Sequence, residues 1–227
     1  MNKIKNVENY LKNLLFSGEI TIEELENLSV RLRDELKQPK KKNASSFSEV
    51  EVGWYAFAGG KFSPDSDAYP NCQGVVGWVN PDKNAPEGQR GLIITPDEVE
   101  MMWSDKYYET NIKDEYDGKG NTEKLIAYGK KCKINFPAAE WCAAYCKNGV
   151  RPGEGFMPAK EQLKRIVANR MIVNPALQKI NGVELSGWIW SSSEYAYDRA
   201  WVVGARGGNV YDGSKYAGLY VRCVLAF

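Results

Sequence analysis

The chain is 227 residues long and 43% hydrophobic with seven Trp, enough for a real core in one large domain or in a domain with an appendage. Thirty Lys and Arg against 29 Asp and Glu leave a net charge of +1, without the basic surplus that phosphate binding needs, so nucleic acid is excluded as the main partner. No run approaches the roughly 20 apolar residues of a membrane span, and the absence of His removes the commonest general base, the Ser–His and Cys–His nucleophile pairs and the commonest zinc ligand.

Residues 1–38 read as a helical hairpin. Tyr10, Leu11, Leu14 and Leu15 form one apolar stripe that ends at Gly18. Thr21-Ile22-Glu23-Glu24 is a capping-box pattern, and Leu25, Leu28, Leu32 and Leu36 follow at helical spacing. Two such helices bury little alone. The stripe therefore serves attachment or oligomerisation, or packs on the body of the same chain. The basic start has no continuous apolar core and no small-residue cleavage site, so it is not read as a signal peptide, and the location of the protein stays open. Residues 39–49, with Pro39, Lys40 to Lys42, Asn43 and several Ser, have the composition of a linker.

A folded domain is predicted over 50–227. Glu51 to Phe57 reads as a strand, Gly59-Gly60 as a turn and Lys61 to Ser63 as the returning strand; Gln73 to Val79 and Gly91 to Thr95 read as buried strands. Asp117 to Thr122 has the chemistry of a turn, lacking the Lys and Ser or Thr of a phosphate loop. A helix is expected from Phe136 or Pro137 through Asn148, a loop over Gly149 to Gly155, a helix over Ala159 to Asn169, and a short helical piece over Met171 to Ile180. Strands follow at Trp188 to Trp190, Ala200 to Val203 and Tyr220 to Val224. The order is α+β and not a βαβ repeat. The first strand and the last, Tyr220 to Phe227, are predicted to pair.

Little in this domain points to chemistry. The five cysteines (Cys72, Cys132, Cys142, Cys146 and Cys223) are an odd number, a poor fit to a disulfide framework. Cys142 and Cys146 are spaced to share a helix face. Buried free thiols are preferred over a four-thiolate zinc site, whose paired close spacings are missing. Asp65 and Asp67 lack the remaining ligands of a calcium loop, and the closely spaced acids Asp114, Glu115 and Asp117, which could also hold a cation, read by default as a solvated loop. No metal, no cofactor and no catalytic residue is expected. Ser191 to Ser193 beside Glu194 have no evident base, so a strand-end network is the expected role. Trp54, Trp78, Trp141, Trp188, Trp190 and Trp201 are expected in the core; a carbohydrate-binding module would need some of them exposed.

The C-terminal segment 188–227 is the informative one. Its expected loops, Ala196 to Arg199, Gly204 to Gly207, Tyr211 to Ser214 and Tyr216 to Leu219, contain Tyr, Asp, Arg, Ser, Gly, Ala and one Leu, and no Lys, Glu, Gln, Met or Trp. Adaptable binding surfaces use such residues, with Tyr as the rigid anchor. The candidate contact residues are Ala196, Tyr197, Asp198, Arg199, Val202, Gly204, Arg206, Gly207, Tyr211, Asp212, Gly213, Ser214, Tyr216, Ala217, Gly218 and Leu219. Tyr197, Tyr211 and Tyr216 would be anchors. Asp198, Arg199, Arg206, Asp212 and Ser214 would give polar selectivity, and Gly204, Gly207, Gly213 and Gly218 would allow close approach.

A series of short motifs runs through 50–227: Cys72 to Val76, Gly120-Asn121-Thr122, Pro137 to Cys142, Gly155 to Ala159 with Glu161-Gln162-Leu163, Trp190 to Tyr195, Ala200-Trp201, Gly208-Asn209-Val210, Lys215, and Tyr220 to Val224. In order and spacing they resemble C-type-lectin-fold domains of the formylglycine-generating-enzyme-like subgroup, found in gut Bacteroidales and their phages. Within that group the C-terminus is similar to the variable protein of a diversity-generating retroelement. Erroneous copying of template adenines there turns AAC codons into codons that cannot encode Lys, Glu, Gln, Met or Trp. The resemblance implies a C-type-lectin-like domain displaying a diversified, ligand-binding face, with Glu194, Trp201 and Lys215 as invariant scaffold. The ligand would be a protein or a glycan, with display on a phage particle or cell surface through a partner. Alternatives are a formylglycine-generating-type oxidase acting on a Cys peptide through Cys142, Cys146 or Cys223, and a carbohydrate-binding module. Cys223 has no second Cys near it in the C-terminus, so the fold is carried over and the activity is not.

Overall fold

The computed structural model describes Thr21 and residues 47–227; the predicted hairpin, and the linker up to residue 46, lie outside the described residues. After a 3-10 turn at Phe47–Glu49 come strands β1 (Tyr55–Phe57), β2 (Lys61–Ser63), β3 (Cys72–Val79) and β4 (Gly91–Met101). Helices α1 (Gly118–Cys132), α2 (Pro137–Ala144), α3 (Lys160–Ala168) and α4 (Arg170–Lys179) follow, then strands β5 (Trp188–Ala196), β6 (Arg199–Gly204), β7 (Val210–Ser214) and β8 (Leu219–Ala226). The domain is α+β. All eight strands form one sheet in the order β2-β1-β3-β4-β8-β5-β6-β7, antiparallel throughout except where β5 meets β8.

Successive residues of a strand point to opposite faces, and the central strands are apolar on both. Val76, Ile93 and Cys223 join one core with Leu125 of α1 and Ala138, Ala139 and Cys142 of α2. Val75, Ile94 and Val224 join a second core with Leu163, Ile166 and Val167 of α3 and Val173 and Leu177 of α4. The sheet is thus a middle layer with a helix pair on each face. No described helix is long and apolar enough to cross a membrane.

The first strand begins at Tyr55 and not at Glu51, and four larger features of the fold differ from the sequence expectations, each for a local reason. Asp117 to Thr122 is the start of a 15-residue helix and not a free turn. Asp117 Oδ1 accepts from Gly120 N at 2.8 Å, a side-chain N-cap. Gly118 is there for closeness: a Cβ would lie 2.6 Å from Ala159 N and 2.7 Å from Met157 O. The hydroxyl of Thr122 donates to Gly118 O and accepts from Met157 N, so the helix start is bonded to the chain entering α3.

Secondly, β4 does not stop at Thr95. Proline cannot donate to a ladder and reads as a strand end, yet the β4–β8 register shifts between Ile94 and Glu98, and the strand continues past Pro96 to Met101. Arg222 of β8 fills the gap, donating to Thr95 O at 3.1 Å and to Val183 O at 3.0 Å. Its burial pushes the guanidinium down to about 10, against the opposing attraction of Glu98 and Asp97.

Thirdly, β1 and β8 do not pair: β1 lies between β2 and β3, and β8 between β4 and β5. The two ends of the domain meet through rings instead, Phe227 lying 4.7 Å from Phe62 and 6.3 Å from Phe47. Fourthly, α2 ends at Ala144, so Cys142 is buried while Cys146 is exposed, and the two do not share a helix face. All five cysteines are free, and Cys72 and Cys132 are half-buried.

Replacing Asp117 by Ala removes the N-cap of α1 and should lower the free energy of unfolding by about 1 kcal/mol, measured by denaturant titration. An unchanged midpoint would mean that the packing of Gly118 against the α3 entry, and not the cap, sets where α1 begins.

Candidate functional site

Strand β5 carries six consecutive buried residues, Ile189 to Glu194, of which four are polar. Its pairing with β6 shifts register between Trp190 and Glu194, and side-chain bonds take over where the ladder is interrupted. Ser191 Oγ donates to Trp201 O, Ser193 Oγ to Asp114 O, and Asn121 Nδ2 to Ser192 Oγ. The serines are fasteners of a strand end, and their hydroxyls are occupied in that role.

Glu194 and Lys215 are the centre of the arrangement. Both side chains are fully buried, with Lys215 Nζ 2.6 Å from Glu194 Oε1. The carboxylate also accepts the backbone N–H groups of Thr110 (2.9 Å) and Asn111 (2.7 Å). The ammonium spends its other two protons on Tyr108 O (2.7 Å) and Tyr197 O (3.0 Å) and sits 4.9 Å from the centre of the buried Trp103 ring. Backbone bonds close the circuit: Trp103 N donates to Lys215 O, Lys215 N to Asp198 O, and Glu194 N to Ile112 O. Burial lowers the Lys215 ammonium below its ordinary range, and the attraction of Glu194 opposes it. One ion pair therefore pins three irregular segments: 103–112, the β5–β6 turn, and the β7–β8 turn.

On this frame stand exposed rings. Tyr197 (56% exposed) is at the β5–β6 turn and Tyr216 (47%) at the β7–β8 turn. Both meet Tyr107, a residue the sequence reading did not single out. Tyr107 stacks on Tyr216 at 3.9 Å, lies 6.1 Å from Tyr197, and shares a 2.8 Å hydroxyl hydrogen bond with Ser214. Arg199 is neutralised across the strands by Asp212, with 2.5 Å between them. Trp201, expected in the core, is only half-buried; it packs against Tyr195 at 4.5 Å, under Lys160.

The expected contact residues do not form one patch. Ala196 to Arg199 and Ser214 to Leu219 gather at one end of β6 and β7. Arg206 and Gly207 lie at the other end, ~17 Å away at the rise of an extended strand. Tyr211, Asp212, Gly213 and Ser214 were expected in a loop; they belong to β7, the edge strand. Tyr211 (56% exposed) sits edge-to-face on Trp188 at 5.0 Å, and Trp188 is itself 40% exposed, where the core was expected.

Three of the expected contacts serve the frame. Val202 is 3% exposed and packs in the core, because its register partner Tyr211 and the neighbouring Trp190 cover it. Gly204 is buried, and a Cβ there would come 2.9 Å from the Trp188 ring. Gly213 faces Trp190, with 2.7 Å left for a Cβ. These two glycines allow close approach of tryptophans and not of a ligand. Gly207 and Gly218 are exposed, and the atoms a Cβ would meet are the ends of Asn209 and Glu100.

Two of the candidate thiols are sealed in the core, and the third, Cys146, is exposed. Cys142 and Cys223 are fully buried, with Cys223 Sγ 3.5 Å from Cys142 O, and burial together with the neighbouring Cys223 thiol holds Cys142 well above its usual range, in the protonated form. Among the described residues no three Cys, Asp or Glu side chains gather as a metal would require.

No family model and no curated protein matches the chain. A solved structure does. It is a fimbrial protein from Bacteroides ovatus, with a TM-score of 0.63 and 19% identity, covering 78% of this chain and 49% of the other. The chain spans about half the length of that protein, and at this identity the likeness is one of fold.

Removing one member of a buried ion pair strands the other, a loss of about 3–5 kcal/mol. Lys215→Met should therefore lower Tm by on the order of 10 °C, with loss of the near-ultraviolet circular dichroism of Trp103. Gly213→Ala should cost about 1–3 kcal/mol through overpacking against Trp190, while Gly207→Ala should leave Tm within about 1–2 °C of the parent. Equal tolerance at the two glycines would contradict the packing described here.

Proposed function

We propose that this chain is a non-catalytic recognition protein that binds a protein or glycan ligand through the tyrosine-bearing end of β6 and β7. The observation that carries the reading is the pairing of opposites at that end. Tyr197 and Tyr216 are each about half exposed there, on turns pinned by a fully buried Lys215–Glu194 pair, and Tyr211 is as exposed further along the edge strand. Exposed, rigid aromatic side chains on a preorganised scaffold suit binding, because little conformational entropy is lost on contact.

The finer reading is a C-type-lectin-like scaffold whose segment 188–227 is diversified by a retroelement. The loop composition supports it, and so does the division of labour. Glu194 and Lys215 build the frame, while Tyr197, Asp198, Arg206, Tyr216 and Gly218 lie at the surface or half-buried, where substitution costs the core little. Display at a surface is supported by the description of the structural neighbour as a fimbrial protein and by its Bacteroides source. Residues 1–38 would then attach or oligomerise the protein. A Cys-peptide oxidase is less well supported, since Cys142 and Cys223 are sealed in the core.

The test is a binding screen against arrayed surface proteins and glycans of gut bacteria, with the parent chain and the variant Tyr197→Ala/Tyr211→Ala/Tyr216→Ala. The parent should bind a member of the array and the variant should not. The variant should lose no more than about 2 kcal/mol of stability, from its aromatic contacts. A variant that fails to fold would make the three rings core residues and remove the proposed face. Retroelement diversification predicts, beside the gene, a reverse transcriptase and a near-copy of the 3′ coding segment that differs at adenines.

A further inference from the structure

We infer that the tyrosine-bearing end is built to take a cationic side chain, the guanidinium or ammonium of an Arg or Lys on a partner protein, against the exposed rings of Tyr197 and Tyr216. The inference rests on the binding-face reading above and names the chemistry of what is bound. Three aromatic rings converge there, Tyr216 stacked on Tyr107 at 3.9 Å and Tyr197 at 6.1 Å from it. A stacked pair presents its outer face and edges to solvent, and the negative faces of phenol rings attract cations.

The charge around the rings decides the sign of the guest. Arg199 is paired with Asp212, Lys215 is buried and paired with Glu194, and Lys113 is paired with Glu109. Lys106 is turned to Lys133 O. Two carboxylates remain. Asp198 adjoins Tyr197 in the β5–β6 turn, half-buried; its backbone carbonyl accepts from Lys215 N, but its carboxylate makes no hydrogen bond or ion pair among the described residues, and Arg199 and Lys215 feel it only at longer range. Glu100 is exposed on β4, opposite Tyr220, and its Oε1 lies 2.9 Å from where a Cβ of Gly218 would stand, two residues along the turn from Tyr216. A glycine at 218 leaves this carboxylate uncovered. The rings therefore lie near two acids that have no cation bound to them, and the neighbouring base without an acid partner, Lys106, is directed to a backbone carbonyl. An apolar guest would bury both acids without compensation; a basic side chain meets rings and acids together.

The experiment uses the full chain with labelled tyrosine rings, observed by nuclear magnetic resonance at low salt. The probes are the N-acetyl methylamides of arginine, lysine and norleucine. The Tyr197 and Tyr216 ring signals should move with the two cationic probes, with an affinity about five- to tenfold above that for norleucine, the combined scale of an exposed cation–π contact and exposed ion pairs. The variant Asp198→Asn/Glu100→Gln, which keeps every ring and the buried pair, should lose that advantage while its spectrum stays dispersed. Equal response to norleucine would overturn the inference and leave a binding face of apolar character. No response at these rings to any probe, or full arginine affinity in the double variant, would overturn it as well. Failure of the binding-face reading itself would appear elsewhere, as a triple tyrosine variant that does not fold or that still binds its array partner.

Discussion

The arrangement of the C-terminal half depends on the desolvated ion pair between Lys215 and Glu194. Three segments meet there that have no strand ladder in common: 103–112, the turn after β5 and the turn after β7. Irregular backbone has no internal means of satisfying its own polar groups, and each unmatched carbonyl or amide out of water costs on the order of 1–3 kcal/mol. The pair resolves this at one point. Its carboxylate takes two amides of the first segment, and its ammonium takes a carbonyl of the first and one of the second. Lysine suits the position because three donors radiate from one atom. A buried ion pair adds little net stability over an apolar replacement; what it adds here is definition of where three loops lie.

That definition has a consequence for which positions can vary. Tyr197 and Tyr216, on the pinned turns, are exposed, while several ladder positions serve the core. Gly204 and Gly213 leave room for Trp188 and Trp190, and Val202 is core. A surface that tolerates exchange at its tips thus has a fixed pattern of small residues beneath it. Tyr107 belongs to the fixed part although it lies outside the C-terminal segment, since its ring supports Tyr216 and its hydroxyl meets Ser214. Ring, turn and ion pair are one mechanical unit.

Fold class and most strand positions are legible in the sequence because alternation and short apolar runs are local signals. What escapes is set by contacts distant along the chain. Gly118 looks like a turn residue until the entry to α3 is seen to need the space, and Gly120 until the capping carboxylate of Asp117 is seen to lie against it. Pro96 looks like a strand end until Arg222 is placed behind it, 126 positions later. Trp188 looks like core, and its exposure depends on β6 being followed by an edge strand and not by another layer. The frame did leave a trace. Lys215 is a lone lysine amid loops otherwise free of Lys, and Glu194 a lone acid after three serines. The Tyr107-Tyr108 doublet left none that separates it from an ordinary half-buried pair.

The separation of the exposed residues along β6 and β7 bears on the size of the ligand. Tyr197 and Tyr216 stand at one end, Arg206 at the other, ~17 Å apart at strand rise, with Tyr211 and Trp188 along the way. On the proposed reading, a single sugar ring reaches one end only and leaves Arg206 without contact. A protein interface of standard size covers roughly 800 Å² on each partner, a patch on the order of 30 Å across. Such a partner touches both ends, the edge strand between them and the Trp188–Tyr211 pair at once. If exchange at both ends serves recognition of one ligand, that ligand has the dimensions of a folded protein surface and not of a monosaccharide.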